Sequence, residues 1–302
     1  MSETLRARGD YGEPIRFKLT DGEIAGRRWG PRGAPRVLFC HATGFCASAY
    51  RRVLAPLAER FDVIAPDLRG HGRSALPADA KRLKSWSPFV RDIGAVLDHL
   101  AAPGEGPVLL AGHSLGGACV LMAARGRRDI SGLALIEPVI VGRLVALAAA
   151  IPAWPAIAAR VPVVRGALAR RASWPDRAAA RAAYGRKSLF STWAEGCLDD
   201  YLEDGLVSHP GGAVLACAPD WEAAVFAAQA NRPWPAAAAA PAPISVLVAD
   251  HKGSTVSQAA RRRLRRLGAE VEVAPGASHL LPFENPELAA RFIAGARTKS
   301  VG

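Results

Sequence analysis

The sequence predicts an α/β domain: a mostly parallel, doubly wound sheet with helices on both faces and an inserted helical cap. Three observations lead there. Short continuous apolar runs alternate with helix-competent stretches, as in parallel strands buried on both faces. One such run, Val108-Leu109-Leu110-Ala111, leads through Gly112-His113-Ser114-Leu115-Gly116 into a small-residue helical segment. The alternation stops after residue 140 and resumes only at residue 244.

A strand over 15–20 turns at Asp21-Gly22 and returns over 23–29, a hairpin signature. The run 36–40 reads as a buried strand ending in the small polar loop His41-Ala42-Thr43-Gly44-Phe45. A helix over 48–59 and a strand over 61–65 follow. They lead into the glycine-punctuated loop Asp67-Leu68-Arg69-Gly70-His71-Gly72-Arg73-Ser74, where Asp67 and Arg69 are expected to satisfy backbone groups and each other. Helix is predicted over 87–100, then the strand that carries Ser114, then a strand over 132–137 ending in Glu137-Pro138.

The segment 141–240 holds alanine-rich helical pieces, several prolines and Trp154, Trp174, Trp193, Trp221 and Trp234, with no run resembling a central strand. It is read as a helical cap on a core formed by 1–140 and 241–302. Residues 144–157 are expected to form a buried cap helix, with a lipid-touching lid as the alternative. The tryptophans either line a pocket or pack the cap on the core. A low-complexity linker, 235–243, closes the insertion. A strand over 244–249, a helix over 256–267, a strand over 270–273 and a helix over 286–296 complete the chain.

With 302 residues, half of them hydrophobic, the chain can bury a large core. The formal charge of +12 would suit nucleic acid, but only six residues are lysine and alanine is abundant, which points to compositional bias. The run Arg261-Arg262-Arg263-Leu264-Arg265-Arg266 lacks interleaved aromatics and is read as a solvated helix face, so no nucleic-acid partner is expected. Five cysteines, an odd count without C-x-x-C spacing, argue against a disulfide framework or zinc site and for a reducing, cytoplasmic setting. The polar start has no signal-peptide core. The longest apolar stretch, 144–164, is broken by three prolines and Arg160, so no stable membrane insertion is expected. No cofactor or metal ion is expected, and nothing in the chain speaks to oligomeric state.

G-x-S-x-G between a strand and a helix is the nucleophile elbow: the serine stands on a strained turn that flanking glycines make possible. A serine hydroxyl needs a base to remove its proton. Seven histidines are available. His279, in Gly276-Ala277-Ser278-His279, follows the last strand, where catalytic groups of open parallel sheets collect.

The order of elements, the elbow, the Asp67–Ser74 loop and the late Gly276-Ala277-Ser278-His279 together resemble the α/β-hydrolase family over about two thirds of the chain. The resemblance implies a serine hydrolase without cofactor, with Ser114 as nucleophile, His279 as base, and an oxyanion hole made by the N–H groups of Thr43 and Leu115. Relatives carry His-Gly-x where this chain has His41-Ala42-Thr43, so Ala42 replaces the usual glycine. Most relatives place the acid after the seventh strand, where this chain has Asp250-His251-Lys252 and a lysine at the usual carboxylate position. Some relatives, the haloalkane dehalogenases among them, place it at the end of the sixth strand, where Glu137 stands. A carboxylate ending an apolar strand is costly unless paired. Glu137 is therefore the preferred acid and Asp250 the alternative.

The expected substrate is a small-molecule carboxylic ester or other acyl compound, taken through an acyl-enzyme by an esterase or lipase-like enzyme. Alternatives are a carbon–carbon bond hydrolase, for which Arg170-Arg171 could bind acidic substrates, a perhydrolase, and a non-turnover ligand receptor. Serine at position 114 argues against the dehalogenase and epoxide hydrolase reactions, whose covalent intermediate forms on a carboxylate at this position in those relatives.

Overall fold

The predicted hairpin forms as β1 (Glu13–Leu19) and β2 (Gly22–Trp29), paired antiparallel. Then come β3 (Arg36–Cys40), β4 (Asp62–Pro66), β5 (Val108–His113) and β6 (Ile130–Ile136), and after the insertion β10 (Ile244–Ala249) and β11 (Glu270–Ala274). They form one eight-stranded sheet in the order β1-β2-β4-β3-β5-β6-β10-β11. β2 meets β4 antiparallel, and every pairing from β4 to β11 is parallel. This computed structural model describes residues 11–101, 106–250 and 253–299.

Period-two alternation divides each central strand between two cores. Leu38, Ile64, Leu110, Leu133, Val246 and Val248 face one layer. Val37, Phe39, Val63, Leu109, Ala111 and Leu247 face the other. The first layer is covered by α2 (Ser87–Leu100) and α3 (Leu115–Ala123), the second by α1 (Arg51–Leu54), α12 (Leu281–Glu284) and α13 (Pro286–Ala294). All but one of the nine α3 residues are buried, so this helix needs small or apolar residues all round. The helix expected over 48–59 is broken: 3-10 turns at 47–50 and 55–59 flank α1, with Pro56 in the second.

Between β6 and β10 run α4 (Arg143–Ala148), α5 (Trp154–Ala158), α6 (Pro162–Leu168), α7 (Arg177–Gly185), α8 (Cys197–Gly205), α9 (Pro219–Ala227) and α10 (Pro233–Ala238). The expectation of helices alone is corrected by an antiparallel sheet of three short strands, β7 (Ser173–Trp174), β9 (Gly212–Leu215) and β8 (Leu206–His209), in that order. Strands of two and four residues are too short to show a period in sequence. Asp204 and Asp200, both buried on α8, fasten this segment: Arg27 and Arg73 bind Asp204, and Arg51 and Arg52 bind Asp200.

The linker reading of 235–243 is corrected as well. Its first half belongs to α10, whose Trp234, Ala236 and Ala237 are buried in the first core layer, with Arg263 stacked 4.2 Å from the Trp234 ring centre. Residues 144–157 do not form the buried cap helix that was expected. No residue of α4 is buried, and Leu144 is 80% exposed.

Candidate active site

Register brings the site together. In the β5–β6 ladder His113 pairs with Ile136, so Ser114 and Glu137 leave the sheet side by side. Ala249 at the end of β10 pairs with Ala274 at the end of β11, which feeds the loop to His279. All of these lie at the carboxyl ends of parallel strands.

Ser114 has φ 55° and ψ −116°, a conformation that is strained for a side-chain-bearing residue. Close approach demands glycine around it. A Cβ at Gly116 would lie 2.0 Å from the Cys40 carbonyl oxygen, and one at Gly112 would lie 2.6 Å from the Gly116 carbonyl carbon. The Ser114 hydroxyl lies 2.9 Å from His279 Nε2, and His279 Nδ1 lies 3.1 Å from Glu137 Oε2.

Glu137 is 0% exposed and has φ 45°. Its backbone N–H still bonds Leu247 of β10, after which the chain turns at Pro138. Its carboxylate accepts from the Ala249 N–H (2.7 Å), the Ser254 hydroxyl (2.7 Å) and the Thr255 N–H (2.9 Å). Burial pushes its pKa up, but the hydrogen bonds from His279, Ser254, Thr255 and Ala249 outweigh that and hold it at about 2. The carboxylate is therefore ionised and can only accept, so Nδ1 of His279 is the donor to it, an arrangement that in the neutral imidazole leaves Nε2 as the acceptor facing the Ser114 hydroxyl. The imidazole side chain is 27% exposed.

Asp250 does not join this group. It is exposed, and its carboxylate accepts from the Gly276 N–H at 2.9 Å. His251 and Lys252 lie outside the described residues. The loop after β10, where most relatives would keep their acid, here supplies Ser254 and Thr255 to a carboxylate from β6. Arg261 is buried rather than solvated, correcting the reading of its helix face at that position. From α11 (Gln258–Arg266) it bonds the Ala249 and Val256 carbonyls and reaches the Ser254 hydroxyl at 3.1 Å.

Leu115 is the first residue of α3, where N–H groups lack partners within the helix. Thr43 lies in the turn closed by the Phe45 N–H on the Ala42 carbonyl. Ala42 needs no glycine, because it is not among the positive-φ residues. The glycine requirement falls on Gly44, whose φ is 79° and whose Cβ would lie 2.5 Å from a Glu222 oxygen.

Three buried histidines hold this loop. His41 Nε2 accepts from the Leu68 N–H at 2.8 Å and its Nδ1 faces the Ala42 carbonyl. His71 Nε2 accepts from the Gly44 N–H at 3.0 Å and its Nδ1 faces the Arg69 carbonyl. Burial keeps both neutral, with His41 well below its usual range and His71 at about 4. Sequence reasoning missed the third connection. The Tyr50 hydroxyl accepts from the Ala42 N–H (3.2 Å) and donates to His113 Nδ1 (2.7 Å), leaving His113 Nε2–H to donate to the His279 carbonyl (2.8 Å). One hydrogen-bonded chain thus ties the loop after β3, the residue before Ser114 and the backbone of His279. A histidine directly before the serine was the only hint of it.

Asp67 receives the Ala47 and Arg73 N–H groups, as expected of a structural carboxylate, but Arg69 pairs with Asp92 and Asp21 instead of with Asp67. Arg170 is engaged by Glu222 at 2.6 Å and by the hydroxyls of Tyr184 and Tyr201. Phe283, Phe45 and Trp193 stack between the His279 loop, the β3 loop and the insertion, with ring centres 4.7 and 4.4 Å apart. Trp221 packs in the first core layer and donates to the Arg69 carbonyl. Among the described residues no cluster of His, Cys, Asp and Glu could hold a metal ion.

Residues 37–292 match the family model described as "Alpha/beta hydrolase family". Lipase LipV of Mycobacterium tuberculosis is 33% identical over 62% of this chain and 63% of its own length. Monoglyceride lipase of Rattus norvegicus is 37% identical over 38% of this chain and 39% of its own. The chain thus spans less than two thirds of the length of these curated relatives. The solved structure of E-2-(acetamidomethylene)succinate hydrolase superimposes with a TM-score of 0.74 and 22% identity, covering 93% of this chain and 97% of that one, a likeness of fold. With its eight-stranded sheet, its serine elbow and a family match across most of its length, the chain belongs to the alpha/beta hydrolase family.

Proposed function

We propose that this protein is a serine hydrolase that cleaves a carboxylic ester through an acyl-enzyme. The observation that carries the proposal is the continuous hydrogen-bonded line from the Ser114 hydroxyl through His279 to the ionised Glu137. His279 Nε2 takes the serine proton as Ser114 attacks the ester carbonyl. Glu137 stabilises the resulting imidazolium and fixes its tautomer. The N–H groups of Leu115 and Thr43 bind the oxyanion, the first helped by the positive end of α3. His279 then returns the proton to the departing alkoxide. Water, deprotonated by the same imidazole, releases the acid from Ser114.

An uncharged, apolar ester suits the surroundings. The half-buried Phe45 and Trp193, stacked on the buried Phe283 of the segment that follows His279, offer apolar surface on the insertion side. Arg170, the cap cation that would attract an acidic carbon–carbon hydrolase substrate, has its charge taken up by Glu222. Relatives named as lipases support the ester reading. Segment 141–240 would act as the cap. The five cysteines, all buried and free, fit a reducing compartment. The mechanism calls for no cofactor.

A series of nitrophenyl esters from acetate to laurate tests the proposal. The expected result is turnover of at least the shorter esters by the wild type and none above background by Ser114→Ala. Equal rates for the two proteins, or no turnover of any ester by the wild type, would overturn it.

A further inference from the structure

The insertion carries an apolar surface that the proposed ester chemistry does not use. Eight of the eleven large hydrophobic residues exposed among the described residues lie between Leu144 and Leu168. Apart from three arginines, the large outward residues from α4 to α6 are aliphatic, with Leu144, Leu147, Ile151, Ile157, Val163 and Leu168 prominent. The inner side packs on the body: Val164 and Ala167 lie against Ala223 of α9, and the Trp154 indole donates to the Ala227 carbonyl. A solvent-facing helix normally shows polar residues outward. These helices reverse that rule, and a contiguous run of such residues marks a binding surface.

Charge narrows the choice of occupant. From Pro138 to Pro175 there is no Asp or Glu, while Arg143, Arg160 and Arg165 are exposed within the same run. The helix beneath adds Glu222, already engaged by Arg170, and Asp220 at its first turn. A second copy of the chain docking through the same patch would set each of these arginines against like charge about a two-fold axis. Protein interfaces also favour tyrosine and tryptophan, whereas the outward residues here are aliphatic. Aliphatic helices flanked by arginine match a bilayer surface carrying negative headgroups. No helix among the described residues is long and apolar enough to cross a membrane.

We propose that the outward face of α4–α6 docks on anionic phospholipid bilayers, its leucine, isoleucine and valine side chains entering the headgroup boundary and Arg143, Arg160 and Arg165 pairing with lipid phosphates. The surface is independent of the ester proposed for Ser114. The experiment is vesicle co-sedimentation with phosphatidylcholine alone and with added phosphatidylglycerol, at low and high salt. The wild type is expected to bind anionic vesicles at least fivefold more strongly than neutral ones and to release in high salt. Leu144→Ser with Leu147→Ser, and separately Arg160→Glu with Arg165→Glu, should each lower binding at least fivefold. Both variants should keep the wild-type melting temperature and rate on soluble nitrophenyl acetate. Equal binding to both vesicle types, no binding by the wild type, or binding untouched by the leucine changes would overturn the proposal. So would a wild-type dimer in sedimentation velocity that the leucine changes dissociate, because the patch would then be a contact between copies.

Discussion

Replacing Glu137 with glutamine removes one charge and keeps the shape, and the surroundings dictate the consequence. One carboxylate oxygen faces the Ala249 N–H and the other the Thr255 N–H and His279. Whichever way the amide is turned, its NH2 group meets a backbone N–H, so one buried donor loses its partner at a cost of about 1–3 kcal/mol of stability. With the NH2 toward His279, the imidazole is driven to the tautomer that accepts at Nδ1 and carries hydrogen on Nε2. That form cannot take the Ser114 proton, and the imidazolium also loses its counter-charge. Such a change lowers kcat by about 10³–10⁴-fold, or about 4–5.5 kcal/mol of barrier. Steady-state hydrolysis of nitrophenyl acetate reads this directly, with KM changing little and a thermal melt verifying the fold. Asp250→Asn is the control: it preserves the acceptor for the Gly276 N–H and should stay within about twofold of wild type. A Glu137→Gln rate within tenfold of wild type, or an equal loss in Asp250→Asn, would refute the assignment of the acid.

Tyr50→Phe removes a hydroxyl that serves both the Ala42 N–H and His113 Nδ1. Stability should fall by about 1–3 kcal/mol, and kcat should fall about tenfold with KM unchanged, because the chain aligns the His279 backbone; a lowered melting temperature with unchanged kcat would leave Tyr50 only a packing role. Acid should destabilise the protein as pH falls below 6.5. His41, His71 and His113 are buried neutral, His113 at about 3, so their stabilisation is present above the unfolded value of 6.5 and is lost as pH falls below it. At pH 5 His71 and His113 each cost about 2 kcal/mol relative to pH 7.5, with His41 acting in the same direction and Asp67, which burial raises to about 6, partly offsetting them. Urea unfolding at the two pH values should therefore differ by roughly 4 kcal/mol, and equal midpoints would contradict the histidine assignments. Gly116→Ala places a methyl 2.0 Å from the Cys40 oxygen, which is backbone and cannot turn away; soluble yield or melting temperature should drop sharply, and a normal melt with full activity would mean the elbow has more room than described.

The parts of this molecule legible in its sequence are those whose signals are local. The strand 36–40 and the helix 87–100 appear with the predicted bounds, because an unbroken apolar run and a sustained helical period each report on themselves. Ser114 was also legible, standing just past an apolar run between glycines, and His279 from its place after the last strand. Glu137 stood out because a charge at the end of a buried strand demands partners. Those partners, Ser254 and Thr255, were not visible, since they come from a loop more than a hundred residues away that looks like any polar turn. Tyr50 is equally silent, being one aromatic residue in a helical stretch until register sets it against His113. The insertion misled in both directions. Its short strands give no period, α10 reads as a flexible linker because alanine and proline are ambiguous, and the aliphatic outer face of α4–α6 looks in sequence like one meant for burial.

The proposed hydrolysis depends on activation of the Ser114 hydroxyl by His279 and Glu137. Incubation with a fluorophosphonate, followed by intact-mass and peptide mass spectrometry, tests it most directly, because the reagent phosphonylates only a serine whose proton a base can remove. The predicted result is one adduct per chain, on Ser114, formed much more slowly in Glu137→Gln and absent in Ser114→Ala and His279→Ala. An unmodified wild-type protein, or an adduct on any other residue, would contradict it.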